Sequence, residues 1–323
     1  MLVTGVVVYY LFPRQPGSVI INTKQNACSE KMNQRRLNDY KFTHPILLSD
    51  LPTENSELSG LKEKIIDIIA QDKNKNLLKD VSVYFRTMND GSWFVINGDR
   101  TYAPASLMKV TFLIAILKQS EADSGLLDKK IYFEKHADTG YNQTIKSFKL
   151  EEKKYYTIRE LLHYMIGYSD NDALALISRN TSQPVLKKFF EDLGVASPSW
   201  DPTKSSEYVV TVSDYCKLFR VLYNSCYLTN ENSDLALEML SESTYKGGLL
   251  KDISPSFQVV HKFGERFDGQ SSELHEIGIF YSTPQPYLLG VMSEGQDMSQ
   301  LSSVLGKISK VVYENYNKRI EPL

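Results

Sequence analysis

Cysteine is scarce in this chain: Cys28, Cys216 and Cys226 are the three among 323 residues. That is too few for a disulfide framework, and no two stand in C-x-x-C spacing. Pairing Cys216, expected on a helix, with Cys226 would make the chain double back sharply, and no redox compartment follows. The five histidines, His44, His136, His163, His261 and His275, form no H-E-x-x-H or similar pair, so no metal site is indicated. No glycine-rich loop follows a strand, which leaves a nucleotide or coenzyme without a cradle; no cofactor is expected. Charge of either sign is not in excess, with Lys+Arg 37 against Asp+Glu 39. Nucleic acid is therefore not a favoured partner.

A long apolar run is missing as well. Leu2 to Phe12 is apolar and aromatic apart from Thr4 and Gly5, but a bilayer crossing takes about 20 such residues. The segment reads as a shortened signal anchor, or as the h-region of a signal without a basic n-region. An apolar tail left free in water would be a sticky patch. The expectation is export, to the periplasm or cell surface, with residues 1–13 as a possible membrane attachment. From residue 14 to 55 the chain is polar and carries Pro16, Pro45 and Pro52, which reads as a tether with little packing of its own.

Residues 56–323 carry the periodic signals. Leu58, Leu61, Ile65, Ile68 and Ile69 recur at helical spacing. Residues 81–88 and 92–96 alternate around Asn89-Asp90-Gly91, a hairpin signal. Residues 126–150 read as irregular. Thr157-Ile-Arg-Glu160 fits a capping box that starts a helix. Further helices are expected over 173–179, over 183–193 ending at Gly194, over 211–223 and over 233–240. Strand patterns follow over 257–264, 273–281 and 287–292, and a last helix over 298–316. Strands at both ends with helices between predict an α+β fold: an antiparallel sheet with flanking terminal helices and an inserted all-helical lobe.

Within this frame Ser106-Leu-Met-Lys109 opens an otherwise apolar helical run that continues to Lys118. Residues i and i+3 share a helix face. Two readings follow. The lysine extends its head to water along an apolar surface, or burial lowers its pKa and makes it a base for the serine. Ser169-Asp170-Asn171 follows 63 positions after Ser106, on a turn between two helices, and Lys262-Phe263-Gly264 lies on a strand. By themselves the former is a helix N-cap and the latter a strand-edge lysine.

Together, in order, S-x-x-K, S-D-N and K-x-G resemble the motif set of the class A β-lactamase-like serine hydrolases, which includes penicillin-binding proteins. The resemblance spans roughly residues 56–316. It implies that Ser106 is acylated by a β-lactam or a related amide and that the acyl-enzyme is then hydrolysed. It makes Lys109 the base for Ser106. Ser169 becomes a proton relay assisted by Lys262, and Asn171 the group that holds a substrate amide. The amides of Ser106 and Glu265 would form the oxyanion hole, with Gly264 the small residue alongside. Tyr141 would wall the cleft, or else is a loop tyrosine packed on its neighbours. The expected partner is a small-molecule β-lactam or a peptidoglycan-type peptide.

Two departures bear on the activity. Phe263 replaces the hydroxyl that family members offer to a substrate carboxylate, leaving that task to Lys262, a Ser or Thr elsewhere, or Arg266. The E-x-x-L-N loop that supplies the deacylating glutamate is missing; Trp200-Asp201-Pro202 comes closest, with the shorter acid. A D-Ala-D-Ala peptidase and a non-catalytic binding module on the same fold are the alternatives. An α/β-hydrolase is disfavoured, since Gly167-Tyr-Ser169-Asp-Asn lacks the second glycine of G-x-S-x-G.

Overall fold

The computed structural model describes residues 32–37, 41–76, 78–136, 148–200, 208–282 and 285–317. Its strands and helices follow the chain as β1 (Asn33–Arg36), β2 (Ile46–Asp50), α1 (Ser59–Asn74), β3 (Asp80–Thr87) and β4 (Trp93–Ile96). Then come α2 (Met108–Ser120), β5 (Lys130–Phe133), β6 (Lys154–Thr157), α3 (Ile158–Gly167), α4 (Asn171–Asn180) and α5 (Gln183–Leu193). α6 (Val212–Tyr223), α7 (Asn230–Ser241), β7 (Val259–Phe267), β8 (Ser272–Phe280), β9 (Tyr287–Gly295) and α8 (Met298–Asn317) complete it. The chain is thus an α+β protein, as the sequence pattern predicts.

One five-stranded antiparallel sheet, in the order β4-β3-β9-β8-β7, organises the domain. Both faces are covered, and strand alternation sorts the side chains between them. Leu288 and Met292 of β9 join Val260, Ile277 and Ile279 in a core shared with α2 to α7. Tyr287, Leu289 and Val291 turn the other way, into a second core with Ile65 of α1 and Val304, Leu305 and Ile308 of α8. β7 is an edge strand, and it is this edge that meets the helical lobe at the 3-10 turn Ala105–Leu107.

Local signals hold where chemistry is explicit. Thr157 and Glu160 make the reciprocal capping box at α3, and Thr211 with Asp214 makes another at α6. Gly194 ends α5 in the left-handed region. β5 lies in the stretch read as irregular and pairs with β6 just beyond it, because two four-residue strands without a tight turn leave no periodic trace.

The stretch read as a polar tether also departs from expectation. β1 and β2 pair antiparallel, and Leu47 and Leu48 are buried in the helical core. Charge completes the anchoring: Asp50 accepts from Arg86 at 3.0 Å and Arg220 at 2.8 Å, both arginines being nearly buried. The ribbon carries only two buried apolar side chains and joins distant arginines, so no local pattern announces it. Asp50→Ala would leave two guanidinium groups without their carboxylate, and is expected to lower stability by about 3 kcal/mol in a denaturant titration. A loss within 0.5 kcal/mol, the ordinary range of surface substitutions, would show that the ribbon does not depend on this cluster. Residues 1–31, which include the candidate anchor, lie outside the described residues. Among the described residues no helix is long and apolar enough to cross a membrane.

Candidate active site

Three separate segments converge at the β7 edge. The first is the turn Ala105–Leu107, which precedes α2 and carries the half-buried Ser106. Ala105 sits at φ 49°, a left-handed conformation for a residue with a Cβ, directly before the serine. Such positions cost on the order of 1–3 kcal/mol and persist only where surrounding contacts impose them. Leu107 N–H donates to the carbonyl of Pro104 at 3.0 Å, closing the turn.

The second segment is the connection between α3 and α4. Ser169 is buried at φ 56°, and Asp170 caps α4 by accepting from the amide of Ala173 at 2.6 Å. The N-cap reading of this tripeptide is therefore correct for Asp170. Ser169 and Asn171, on either side of it, instead meet the buried lysines.

The third segment is β7. Lys262 and Gly264 share the face that looks toward α2, and the alternation of the strand sends Phe263 the other way. A Cβ built on Gly264 would lie 3.0 Å from Ser106 N, Leu107 N and Pro104 O, so the strand backbone passes directly against the turn. Any Cβ there would press on backbone at the tight end of real contacts, so glycine suits the approach.

The lysines join these pieces. Lys109, fully buried, donates to Ser169 Oγ at 3.0 Å, to Asn171 Oδ1 at 2.8 Å and to the carbonyl of Ser169. Lys262, equally buried, donates to the same Ser169 Oγ at 2.9 Å and to the carbonyl of Phe263 at 3.0 Å. Burial decides between the two readings of Lys109: its head does not reach water. Its position does differ from the expected one. No hydrogen bond of the Ser106 hydroxyl is present among the described residues, and Lys109 Nζ turns to three acceptors on the second segment. Three acceptors outweigh one hydroxyl in holding an ammonium.

Burial pushes the Lys109 ammonium down to about 7, opposed by the charges of Asp170 and Glu265. Lys262 lies well below the ordinary lysine range, from burial first and then from repulsion by Lys109, with Glu276 and Glu265 opposing. Two ammonium groups on one hydroxyl oxygen repel, so one proton leaves the pair readily. The Asp170 carboxyl is raised by burial, partly offset by its bond to Ala173. A base, a nucleophile and a shared proton carrier at neutral pH are what acyl transfer requires.

The remaining expected residues divide. Glu265 is half-buried on β7, next to Gly264. Arg266 pairs with Glu273 at 3.6 Å. The Phe263 ring lies 4.2 Å from Lys262 Nζ and 4.1 Å from the Tyr245 ring, a cation-π and aromatic stack where family members carry a hydroxyl. Tyr141 and Asp201 fall outside the described residues. Cys216 and Cys226 are free thiols, both raised by burial, Cys226 to about 11. Neither is a reactive nucleophile. Among the described residues no group of three or more His, Cys, Asp or Glu is placed to hold a metal ion.

Comparison with known proteins identifies the family of the chain. A family profile described as "Beta-lactamase enzyme family" matches residues 60–316. The chain belongs to the beta-lactamase enzyme family. A search of curated proteins finds no match. Among solved structures, a mutant of PBP-A in an acyl-enzyme complex with penicillin G is similar at 20% identity and TM-score 0.65, covering 81% of this chain and 97% of that one. A beta-lactamase from Chitinophaga pinensis is similar at 17% identity and TM-score 0.68, covering 80% of this chain and 100% of that one. A class A beta-lactamase from Mycobacterium abscessus reaches 18% identity and TM-score 0.64, with 78% and 98% covered. At such identities these likenesses establish the fold of this family member, a penicillin-recognising serine enzyme fold.

Proposed function

We propose that this protein is a serine hydrolase of the class A β-lactamase type, in which Ser106 takes the acyl group of a β-lactam or related amide and releases it slowly. The observation that carries this reading is the convergence of two buried lysines on Ser169 Oγ, beside a strained turn that presents Ser106 to the β7 edge. In the first step a neutral Lys109 gives up one of its three acceptors for the Ser106 hydroxyl and takes its proton. Ser106 Oγ bonds to the substrate carbonyl carbon. The resulting oxyanion is held by the amides of Ser106 and Glu265. The C–N bond then breaks, with Ser169 giving its proton to the leaving nitrogen and recovering one from the lysine pair. Asn171 and the charge on Lys262 hold the substrate. A PBP-A mutant of the same fold forms an acyl-enzyme with penicillin G, which makes that compound the natural first probe.

Incubation with penicillin, followed by mass spectrometry, is expected to add one acyl group that persists for hours, and Ser106→Ala to abolish it. Labelling that survives the substitution, or none in the parent chain, would sink the reading. The rate is expected to rise as pH passes upward through about 7, where Lys109 loses its proton; a flat profile would remove Lys109 as base.

Slow release rests on the sequence, which offers no E-x-x-L-N loop. The same feature, with Phe263 stacked on Tyr245, favours a second reading as a D-Ala-D-Ala peptidase. Steady turnover of a chromogenic cephalosporin would decide for the β-lactamase, and turnover of an acyl-D-Ala-D-Ala peptide for the other. A location outside the cytoplasm, anchored by residues 1–13, belongs to the same proposal, and cell fractionation tests it.

A further inference from the structure

His275 has no role in the reaction just described, yet it is fully buried on the sheet face that meets Ser106. It stands opposite Gly264 in the β7–β8 register, so the residue that grazes the Ser106 amide and this imidazole are cross-strand neighbours. Its two nitrogens have assigned tasks. The amide of Ser293, on the adjacent strand β9, donates to Nδ1 at 3.2 Å. Nδ1 is thereby the acceptor, the hydrogen sits on Nε2, and Nε2 donates to the carbonyl of Ala103 at 2.9 Å. Burial holds the ring neutral, its pKa pushed down to about 4, which agrees with that tautomer. The ring edge also meets Tyr102 at 5.4 Å between centroids.

Ala103 lies three residues before Ser106 and is itself buried. Its predecessor Tyr102 exchanges two backbone bonds with Val210, at 3.0 and 2.9 Å. The chain entering the turn is therefore held by Val210 at Tyr102 and by His275 at Ala103. Beyond these ties come Pro104, the left-handed Ala105, and the serine. A strained residue keeps its conformation only when both ends are held.

We propose that His275 is a positioning residue: by bridging the Ser293 amide to the Ala103 carbonyl, it sets the place of the Ser106 amide and hydroxyl against Gly264. The proposal rests on the reading of Ser106 as nucleophile. It separates the two nitrogens of the ring, since Nε2 does the positioning while Nδ1 only keeps the β9 amide satisfied.

Two substitutions divide those tasks. Glutamine carries its amide nitrogen near the place of Nε2 and keeps a donor for Ala103. Asparagine carries its oxygen near the place of Nδ1 and keeps an acceptor for Ser293. Acylation by penicillin would be followed by rapid-quench mass spectrometry over a range of concentrations, which separates initial binding from the acylation rate, with thermal unfolding measured alongside. His275→Asn is expected to slow acylation about 30-fold with initial binding unchanged, because misplacement of the reacting groups acts on the rate. His275→Gln is expected to stay within about 3-fold of the parent although it unfolds at a similarly lowered temperature. Should the asparagine variant fail to fold, His275→Met, which fills the space without a donor, takes its place with the same expected loss. Equal slowing of the Gln and Asn variants, or a donor-less variant that acylates at the parent rate, would overturn the proposal. A parent chain that takes no acyl group at all would instead overturn the reading of Ser106, and this proposal with it.

Discussion

Lys109→Met is expected to slow acylation of Ser106 about a thousandfold, the scale of a lost general base, while leaving the folded protein at least as stable as before. Both halves come from one fact, the complete burial of an ammonium in an apolar helix. A shift of the Lys109 pKa from 10.5 to about 7 means that the fold disfavours the charged form by on the order of 5 kcal/mol relative to water. Against that stand three hydrogen bonds, to Ser169 Oγ, Ser169 O and Asn171 Oδ1, each worth about 1 kcal/mol net. Methionine fills nearly the same volume, carries no charge, and leaves two acceptors without their donor.

The sign with pH follows from linkage. The folded pKa lies below the unfolded one, so the stability contribution of Lys109 is fully present above pH 10.5 and is lost as pH falls toward about 7. The stabilisation gained by Lys109→Met should therefore be largest at pH 7 and below, and should vanish toward pH 10. Denaturant titrations at pH 6, 7 and 9, with mass spectrometry of the acyl-enzyme, measure both halves. A variant that is less stable at pH 6 and acylates at the parent rate would show that Lys109 is neither strained nor a base.

The features that were legible in the sequence are those with a local chemical grammar. The capping box at Thr157, the Asn89-Asp90-Gly91 turn, Gly194 after α5 and the apolar face of α8 each declare an element within a few residues. The motifs at Ser106, Ser169 and Lys262 could be recognised by residue type and order, and the structure brings Lys109 and Lys262 together on the hydroxyl of Ser169. What sequence could not reveal was set by partners far along the chain. β2, the partner of β1, is met at Asp50 by Arg86 and Arg220, which lie far along the chain. The left-handed backbone at Ala105 and Ser169 is imposed by packing, since neither residue type favours it. Lys109 turns to Ser169 and Asn171 because they supply three acceptors from residues 60 or more positions away.

His275 did leave a signal. Leu274-His275-Glu276-Ile277 puts two polar residues side by side in a strand that is buried on both faces. In a strand of that kind each polar side chain needs a partner on its own face. His275 finds Ala103 beside the candidate site, and Glu276 finds His261 and the amide of Leu249 on the α8 side. Adjacent polar residues inside an otherwise apolar strand thus mark a place where both faces do more than pack.

Gly264→Val is expected to reduce the acylation rate more than a hundredfold, the loss associated with a misplaced oxyanion donor. A single Cβ at this position would come within 3.0 Å of three atoms at once, Ser106 N, Leu107 N and Pro104 O. All three are backbone, so no side chain can swing aside to make room. The turn itself must retreat from β7, and Val210 and His275 resist that retreat at Tyr102 and Ala103. The strand can yield more easily, because β7 is paired on one side only. Either movement widens the gap between the amide of Ser106 and that of Glu265, and a displacement near 1 Å suffices for a hundredfold loss. Overpacking of this size should lower stability by only about 1–3 kcal/mol, so the variant remains folded for kinetic measurement. Gly264→Ala, with the Cβ alone, should lose about tenfold and fall between the two. If the valine variant acylates at the parent rate with penicillin, the oxyanion site does not lie between Ser106 and the β7 edge, whatever group Ser106 attacks.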